Sequence, residues 1–150
     1  MSRLPYLEAV IKETLRRYPP VLNLVRECTT DGYQLTPEIT LRKGTPIFIP
    51  TPAIHLCPEH YPNPLTFNPE RFMPENKEHL VPYTFLPFSV GPRNCIAMRF
   101  AYQEIHLCLA GLLRKYKFST TAETPEELTF TKNSALLIAK EFQLKVSRRE

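Results

Sequence analysis

Cys95 is the residue of this sequence best placed to do chemistry. It ends the segment FSVGPRNC, and a long apolar helical pattern follows it. A thiolate at the start of a helix faces free backbone N–H groups and the positive end of the helix dipole, which favour its ionised form. Arg93 adds a cation that could bind an anionic group of the same ligand. Cysteine is also a commonly buried residue type, so an unreactive thiol is the alternative on this residue alone.

Composition and glycine placement exclude several classes of protein. The 150 residues, 43% hydrophobic and 23% charged, are typical of one globular domain rather than a disordered chain. The four glycines lie far apart, so neither a Walker A loop nor a dinucleotide-binding fingerprint is present. The net charge of +4 suits an acidic partner surface at least as well as nucleic acid. The longest apolar stretch, residues 107–113, is shorter than the ~20 residues of a membrane span.

The elements that position the Cys95 segment begin with one helix and a set of short strands. Apolar residues recur at helical spacing over residues 5–18. Pro19 and Pro20 end this helix because neither proline can donate the next backbone hydrogen bond. Gly and Pro residues interrupt the segment that follows. The stretches between them predict short strands at residues 21–27, 33–35, 39–41 and 47–49.

The second half of the chain predicts a proline-rich meander, a long helix and a hairpin. Ten of the 16 prolines lie within residues 50–92, where interspersed aromatic residues favour a packed segment over a disordered linker. Residues 96–116 predict a helix that is buried on more than one side. Strands predicted at residues 128–131 and 142–146 are expected to pair as a terminal hairpin.

The remaining cysteines and histidines do not predict a metal site. No pair of the four cysteines has Cys-x-x-Cys spacing, and the thiols are interpreted as reduced. His55, Cys57 and His60 form an H-x-C-x-x-H cluster without a fourth ligand at metal spacing. We therefore expect a surface turn at these three residues.

Four motifs together resemble the cytochrome P450 superfamily of haem-thiolate monooxygenases. The pattern Phe88-x-x-Gly91-x-Arg93-x-Cys95 is similar to the haem-binding loop of that family and is highly specific. The other three are the helical signature Glu13-x-x-Arg16, an arginine at position 26, and the meander signature PERF with Arg71. The resemblance covers essentially the whole chain and is strongest to animal microsomal members.

The resemblance implies a role for each residue of the cysteine loop. Cys95 would be the axial ligand of a haem b iron, and Phe88 would pack near its sulfur and keep water away. Arg93 and Arg26 would pair with the two haem propionates through charge-assisted hydrogen bonds. Ala97 stands where the family usually has glycine, a change expected to shift the helix slightly or to alter haem affinity.

Glu13, Arg16 and Arg71 are expected to have a structural role. On a helical wheel Glu13 and Arg16 lie away from the apolar stripe, which by itself indicates an exposed pair contributing a few tenths of a kcal/mol. The family resemblance instead implies that the meander covers this face and buries the three side chains as one network. We adopt the second interpretation.

By the same resemblance, the chain is mainly α with small β-sheets and corresponds to the C-terminal portion of the cytochrome P450 fold. Residues 1–150 would form the C-terminal part of a single domain, with a helix, small sheet, proline-rich meander, cysteine loop, core helix and terminal β-hairpin. The distal helix with its acid–alcohol pair and the N-terminal membrane anchor are expected outside this chain. The residues expected to line the substrate pocket are Val21, Leu22, Leu24, Asn133, Ser134 and Ala135.

The function implied is insertion of one oxygen atom from O2 into a small lipophilic substrate. Electrons would come from NADPH through a flavoprotein reductase docked on a basic face near Cys95, and nucleic acid is not an expected partner. The full-length protein is expected at the cytoplasmic face of the endoplasmic reticulum membrane, and this chain alone is expected to be incomplete. The alternatives are a haem-thiolate isomerase or dehydratase and a non-catalytic haem-binding remnant. The acid–alcohol pair would discriminate the monooxygenase from the isomerase or dehydratase.

Overall fold

The first helix packs mainly against the proline-rich meander. The computed structural model describes residues 4–132 and 135–150, and helix α1 spans Pro5–Arg17. Pro5 suits the first turn, where its missing N–H has no intrahelical partner, and Pro19-Pro20 stops the helix. Ile11 and Leu15 are buried on one face, and Ala9 is buried on the opposite face, with Tyr61 and Phe72 of the meander. The predicted amphipathic helix is therefore present, one residue shorter than expected.

Four strands follow α1 and form two antiparallel pairs. They are β1 (Asn23–Glu27), β2 (Tyr33–Thr36), β3 (Ile39–Leu41) and β4 (Pro46–Pro50). Strand β1 pairs with β4, with Arg26 opposite Ile47, and β2 pairs with β3. Because side chains alternate along a strand, Leu24 and Arg26 share the half-buried face of β1. The four strands lie within two residues of their predicted positions.

The proline-rich meander is packed against α1. It contains helix α2 (Thr51–His55) and the 3-10 helices Pro69–Phe72, Pro74–His79 and Gly91–Arg93. The hydrophobic core lies between α1 and this segment, where Ala9, Tyr61 and Phe72 are buried together. The ring of Phe85 packs on that of Phe72 at a centroid distance of 4.7 Å. The aromatic residues of the meander thus form the core.

The long helix α3 does not occupy the core, contrary to the prediction of a core helix buried on more than one side. It spans Met98–Lys115, and none of its residues is buried among those that the structure describes. Phe100 and Leu107 are 68% and 73% exposed. The apolar periodicity of α3 correctly predicts a helix, but α1 and Phe88 only half-bury one of its faces, and the rest of its apolar surface is exposed among the described residues.

The terminal strands pair differently from the predicted hairpin. Strand β6 (Lys145–Arg148) lies antiparallel to β5 (Tyr116–Ser119), which begins where α3 ends and was not predicted. Phe130 instead forms a bridge with Ala139, close to it along the chain. The prediction that residues 128–131 pair with 142–146 is therefore wrong. The pairing of distant segments depends on where α3 directs the chain, which the local pattern does not contain.

The architecture combines helices with small antiparallel sheets, as expected in outline. The described residues contain three α-helices and three sheets of two strands each. Within residues 4–132 and 135–150, no helix has both the length and the apolar character needed to cross a membrane.

Candidate functional site

The cysteine loop is a closed turn that presents Cys95 at the surface. The Cys95 N–H donates to the Phe88 carbonyl oxygen over 2.8 Å, and this bond closes the loop. Gly91, with φ of 77°, adopts a left-handed conformation that glycine tolerates without strain. The Met98 N–H donates to the Cys95 carbonyl oxygen at 3.3 Å, so α3 begins directly after the turn. Cys95 is exposed, which leaves its sulfur open to a ligand.

Phe88 joins the loop to α3. Its half-buried ring lies 5.1 Å from the ring of Tyr102, measured between centroids. Burial raises the pKa of Tyr102 to about 12, so this phenol stays neutral in the physiological range. This ring contact packs the first residue of the cysteine loop against the first turns of α3.

Arg26 reaches the cysteine loop from β1. Its Nη2 donates to Ser89 Oγ at 2.8 Å, and its Nη1 donates to the Val25 carbonyl oxygen at 2.8 Å. Ser89 has a φ of 62°, a left-handed conformation that costs a residue with a Cβ about 1 kcal/mol. The hydrogen bond from Arg26 helps to hold Ser89 in this conformation. It also holds a cation beside the loop that carries Cys95.

The other two loop residues singled out by the sequence, Arg93 and Ala97, are both exposed. Arg93 ends the 3-10 helix that begins at Gly91, and Ala97 immediately precedes α3. Arg93 is two residues before Cys95 in the sequence, and Ala97 is two residues after it.

Glu13 and Arg16 form a fully buried ion pair. Arg16 Nε and Nη2 donate to the two carboxylate oxygens of Glu13 at 2.7 and 2.8 Å, and both side chains are 0% exposed. The Asn68 N–H donates to Glu13 Oε1 at 2.8 Å, and Arg16 Nη2 also donates to the Pro64 carbonyl oxygen at 2.8 Å. The meander thus covers the face of α1 that the helical wheel marks as exposed.

Arg71 stands at the edge of this network. Its Nε lies 3.7 Å from Glu13 Oε1, and its Nη2 donates to the carbonyl oxygens of Pro62 and Asn63 at 2.6 and 3.0 Å. Arg71 therefore ties the PERF segment to the preceding turn and faces the Glu13 carboxylate without a direct hydrogen bond from Nε.

His55 is fully buried, which corrects the expectation of a surface turn at this residue. The Leu86 N–H donates to its Nε2 at 2.8 Å, so Nδ1 carries the proton and donates to the Arg16 carbonyl oxygen at 3.0 Å. Arg16 Nη1 in turn donates to the His55 carbonyl oxygen at 2.8 Å. Desolvation by burial, reinforced by the Arg16 charge, lowers the pKa of His55 to about 4, although its bond to the Arg16 carbonyl opposes this shift.

Sequence reasoning missed His55 because its cluster was judged by metal spacing alone. One signal could have found it. His55 and Thr51 are four residues apart, so they share a face of the short helix, and both are fully buried.

Comparison with known proteins agrees with this geometry. A family model described as Cytochrome P450 matches residues 1–146. The chain belongs to the cytochrome P450 family. Cytochrome P450 9e2 of Blattella germanica is 44% identical over 129 residues, which are 85% of this chain and 24% of that protein. Cytochrome P450 3A9 of Rattus norvegicus is 40% identical over 150 residues, which are 100% of this chain and 29% of that protein. This P450 chain therefore spans less than a third of the length of these relatives.

The cysteine loop of this P450 chain has the donor set that haem needs. An exposed thiol would suit haem iron as a soft ligand, and a cation bonded to the same loop would suit an anionic propionate. Next to Cys95, the Ile96 side chain is fully exposed and Phe100 is largely exposed, so apolar surface is available to a flat apolar ring. The residues present fit the cofactor that the family uses.

The two segments expected to line the pocket of this P450 meet in the structure. Val21 forms an isolated bridge with Leu136, and the Leu137 N–H donates to the Pro20 carbonyl oxygen at 2.9 Å. Leu22 and Leu24 are half-buried, whereas Ala135 is exposed. Asn133 and Ser134 lie outside the described residues.

The basic residues of α3 are divided between its two ends. Arg99 is in the first turn and lines a groove of about 950 Å³ with Lys12 and Lys77. Arg114 and Lys115 are in the last turn, about 22 Å further along the helix axis. Cys95 precedes the first turn, so Arg99 is the α3 cation close to the cysteine loop.

Proposed function

We propose that this chain is the C-terminal, haem-binding part of a single monooxygenase domain. The observation that carries the proposal is the cysteine loop, which presents the exposed Cys95 thiol directly before α3 while Arg26 is bonded to Ser89 of the same loop. Family membership supports the choice of haem as the ligand.

Each loop residue has a task in this proposal. Cys95 binds the iron through its thiolate, and Arg26 and Arg93 neutralise the two propionates. The Phe88 ring, packed on Tyr102, limits water near the sulfur. When bound, haem would supply O2 activation: two electrons that originate from NADPH and two protons would reduce one oxygen atom to water, and the other would be inserted into a small lipophilic substrate.

The substrate side of the site is only partly contained in this chain. We place substrate contacts at Val21, Leu22 and Leu24, which lie beside the bridge to Leu136. We place the acid–alcohol pair and the membrane anchor outside this chain, which spans 24% and 29% of the length of the two relatives. With the anchor, the whole protein would reside at the endoplasmic reticulum membrane.

The groove lined by Lys12, Lys77 and Arg99 is the proposed docking site of the flavoprotein reductase. Three cations and one carboxylate, Glu8, line it; Glu8 pairs with Lys12 at 2.7 Å, which leaves a net positive charge. An acidic partner would be attracted electrostatically to this face, which adjoins the first turn of α3 and therefore the cysteine loop.

The carbon monoxide difference spectrum of the reduced, haem-loaded chain tests the proposal. We expect a red-shifted, thiolate-type Soret band that disappears completely in Cys95→Ala, because Cys95 is the only thiol of the cysteine loop. Cys108→Ala is the matched control, since it removes another exposed thiol from α3 and should leave the band intact. A thiolate-type band that persists in Cys95→Ala would contradict the assignment.

Arg26→Ala is expected to weaken haem binding about 10- to 100-fold. Loss of one charge-assisted hydrogen bond to a propionate costs roughly 1.5–3 kcal/mol, and Ser89 also loses the Arg26 contact that supports its conformation. Competition for haem with an apo-acceptor protein measures the affinity. Arg42→Ala, in the exposed turn after β3, is the control and should bind haem as the unmodified chain does. Equal affinity of the Arg26 and Arg42 variants would remove Arg26 from the site.

A further inference from the structure

We propose that His55 is a positioning residue for the haem-thiolate site, setting the backbone that leads into the cysteine loop through its bond to Leu86. The inference deepens the proposed function and rests on it for the role of Cys95. The hydrogen bond from the Leu86 N–H to His55 joins two residues of the chain, so it can be measured without haem.

A short series of hydrogen bonds connects His55 to the loop. Its Nε2 accepts the Leu86 N–H at 2.8 Å, and the Leu86 carbonyl oxygen accepts the Ser89 N–H at 3.1 Å. Ser89 Oγ accepts from Arg26, and the residue before it, Phe88, accepts the Cys95 N–H. The His55 ring thus bonds to the backbone two residues before the carbonyl that closes the cysteine loop.

The other side of the ring is bonded to the buried ion pair. Nδ1 donates to the Arg16 carbonyl oxygen at 3.0 Å, while Arg16 Nη1 donates to the His55 carbonyl oxygen and Nη2 to Glu13. His55 is therefore the side chain that joins the Glu13–Arg16 pair of α1 to the segment preceding Cys95. Only the neutral form with the proton on Nδ1 satisfies both ring bonds.

The surroundings of the ring maintain this form. Arg16 of α1 places a positive charge next to the ring, with the Glu13 carboxylate held against its guanidinium. From the meander, the Phe85 ring stacks on His55 at 5.7 Å and the Tyr61 ring meets its edge at 6.5 Å. An imidazolium would lose the Leu86 bond because Nε2 would no longer accept.

Two isosteric variants separate the positioning bond from general packing. The amide of His55→Gln reaches the position of Nε2 and can accept from Leu86, whereas the amide of His55→Asn reaches only the position of Nδ1 and can donate to Arg16. Each variant loses one buried hydrogen bond. His55→Leu, which is similar in volume to glutamine and makes neither hydrogen bond, measures the contribution of packing alone.

Hydrogen exchange of the haem-free chain is the first measurement. We expect the Leu86 and Ser89 amides to exchange at least tenfold faster in His55→Asn, and within threefold of the unmodified chain in His55→Gln. After haem loading, His55→Asn should lose most of the thiolate-type carbon monoxide band and His55→Gln should retain most of it. Equal behaviour of the two variants in exchange would overturn the proposal, whether or not the chain binds haem.

The imidazole tautomer gives a readout that needs no variant. Long-range proton–nitrogen NMR of the ring in the unmodified chain at pH 7 should show a protonated Nδ1 and an unprotonated Nε2. A proton on Nε2 would exclude the bond from Leu86 and overturn the proposal even where both variants fail to fold. A different result would separate the two proposals. If the Leu86 amide of the unmodified chain exchanges slowly but the haem-loaded chain shows no thiolate-type band, the proposed function is contradicted and the hydrogen bond from Leu86 to His55 is retained.

Discussion

Replacing Glu13 with glutamine should lower the free energy of unfolding by about 3–5 kcal/mol, because it leaves Arg16 as an uncompensated charge in the interior. Both side chains are 0% exposed, and two hydrogen bonds join them. Water cannot reach the guanidinium to replace the lost carboxylate. Urea denaturation followed by circular dichroism measures the effect, and the midpoint should fall without a large change in slope.

Glu8→Gln is the matched control for this prediction. Glu8 lies in the same helix and pairs with Lys12 at 2.7 Å, but about a third of each side chain is exposed. Solvent screens such a pair, so its loss should cost roughly 0.2–0.5 kcal/mol. The double variant Glu13→Leu/Arg16→Met should recover part of the loss, since an apolar pair leaves no buried charge. Equal losses in Glu13→Gln and Glu8→Gln would show that the pair is not buried in solution.

Acidification from pH 7 to pH 4 should reduce stability by about 3 kcal/mol through His55 alone. The pKa of His55 is about 4 in the folded chain, against an ordinary value of 6.5. Below pH 6.5 the unfolded chain therefore binds a proton that the folded chain does not, and the unfolding free energy falls. The loss accumulates down to about pH 4, where the folded chain also becomes protonated and no further loss occurs.

The contribution of His55 is isolated by comparing pH profiles. Unfolding free energies of the unmodified chain and of His55→Gln are measured between pH 7 and pH 4, and the unmodified chain should lose about 3 kcal/mol more than the variant over this range. His79→Gln is the control, because His79 is exposed in the 3-10 helix Pro74–His79 and should give a parallel profile. Parallel profiles for His55→Gln would show that His55 titrates normally and is not buried as observed.

Much of this chain could be predicted from its sequence because the signals are local. Helix α1 follows from one apolar stripe between Pro5 and Pro19, and four short strands follow from alternation and turn residues. The cysteine loop could also be predicted from a short stretch of sequence, since its motif consists of Cys95 and the turn residues just before it, including Gly91. The same motifs predicted the family, which the comparison confirmed.

The tertiary structure decided what each face of these elements contacts. The helical wheel leaves Glu13 and Arg16 exposed because it counts only the apolar stripe of α1, whereas the meander covers their face and supplies carbonyl acceptors. His55 shares no motif with Arg16 and lies 39 residues away, yet the two form reciprocal hydrogen bonds.

The same distinction accounts for the wrong predictions in the second half of the chain. Apolar periodicity predicts α3 but not how far other elements cover it, and among the described residues none of its side chains is fully buried. The pairing of β5 with β6 depends on the direction in which α3 carries the chain. Sequence by itself thus determined the local elements, the loop and the family, because these depend on neighbouring residues. The family resemblance, and not the local pattern, implied the burial of Glu13 and Arg16. The position of His55 and the strand pairing arise from contacts between distant segments, which only the folded chain brings together.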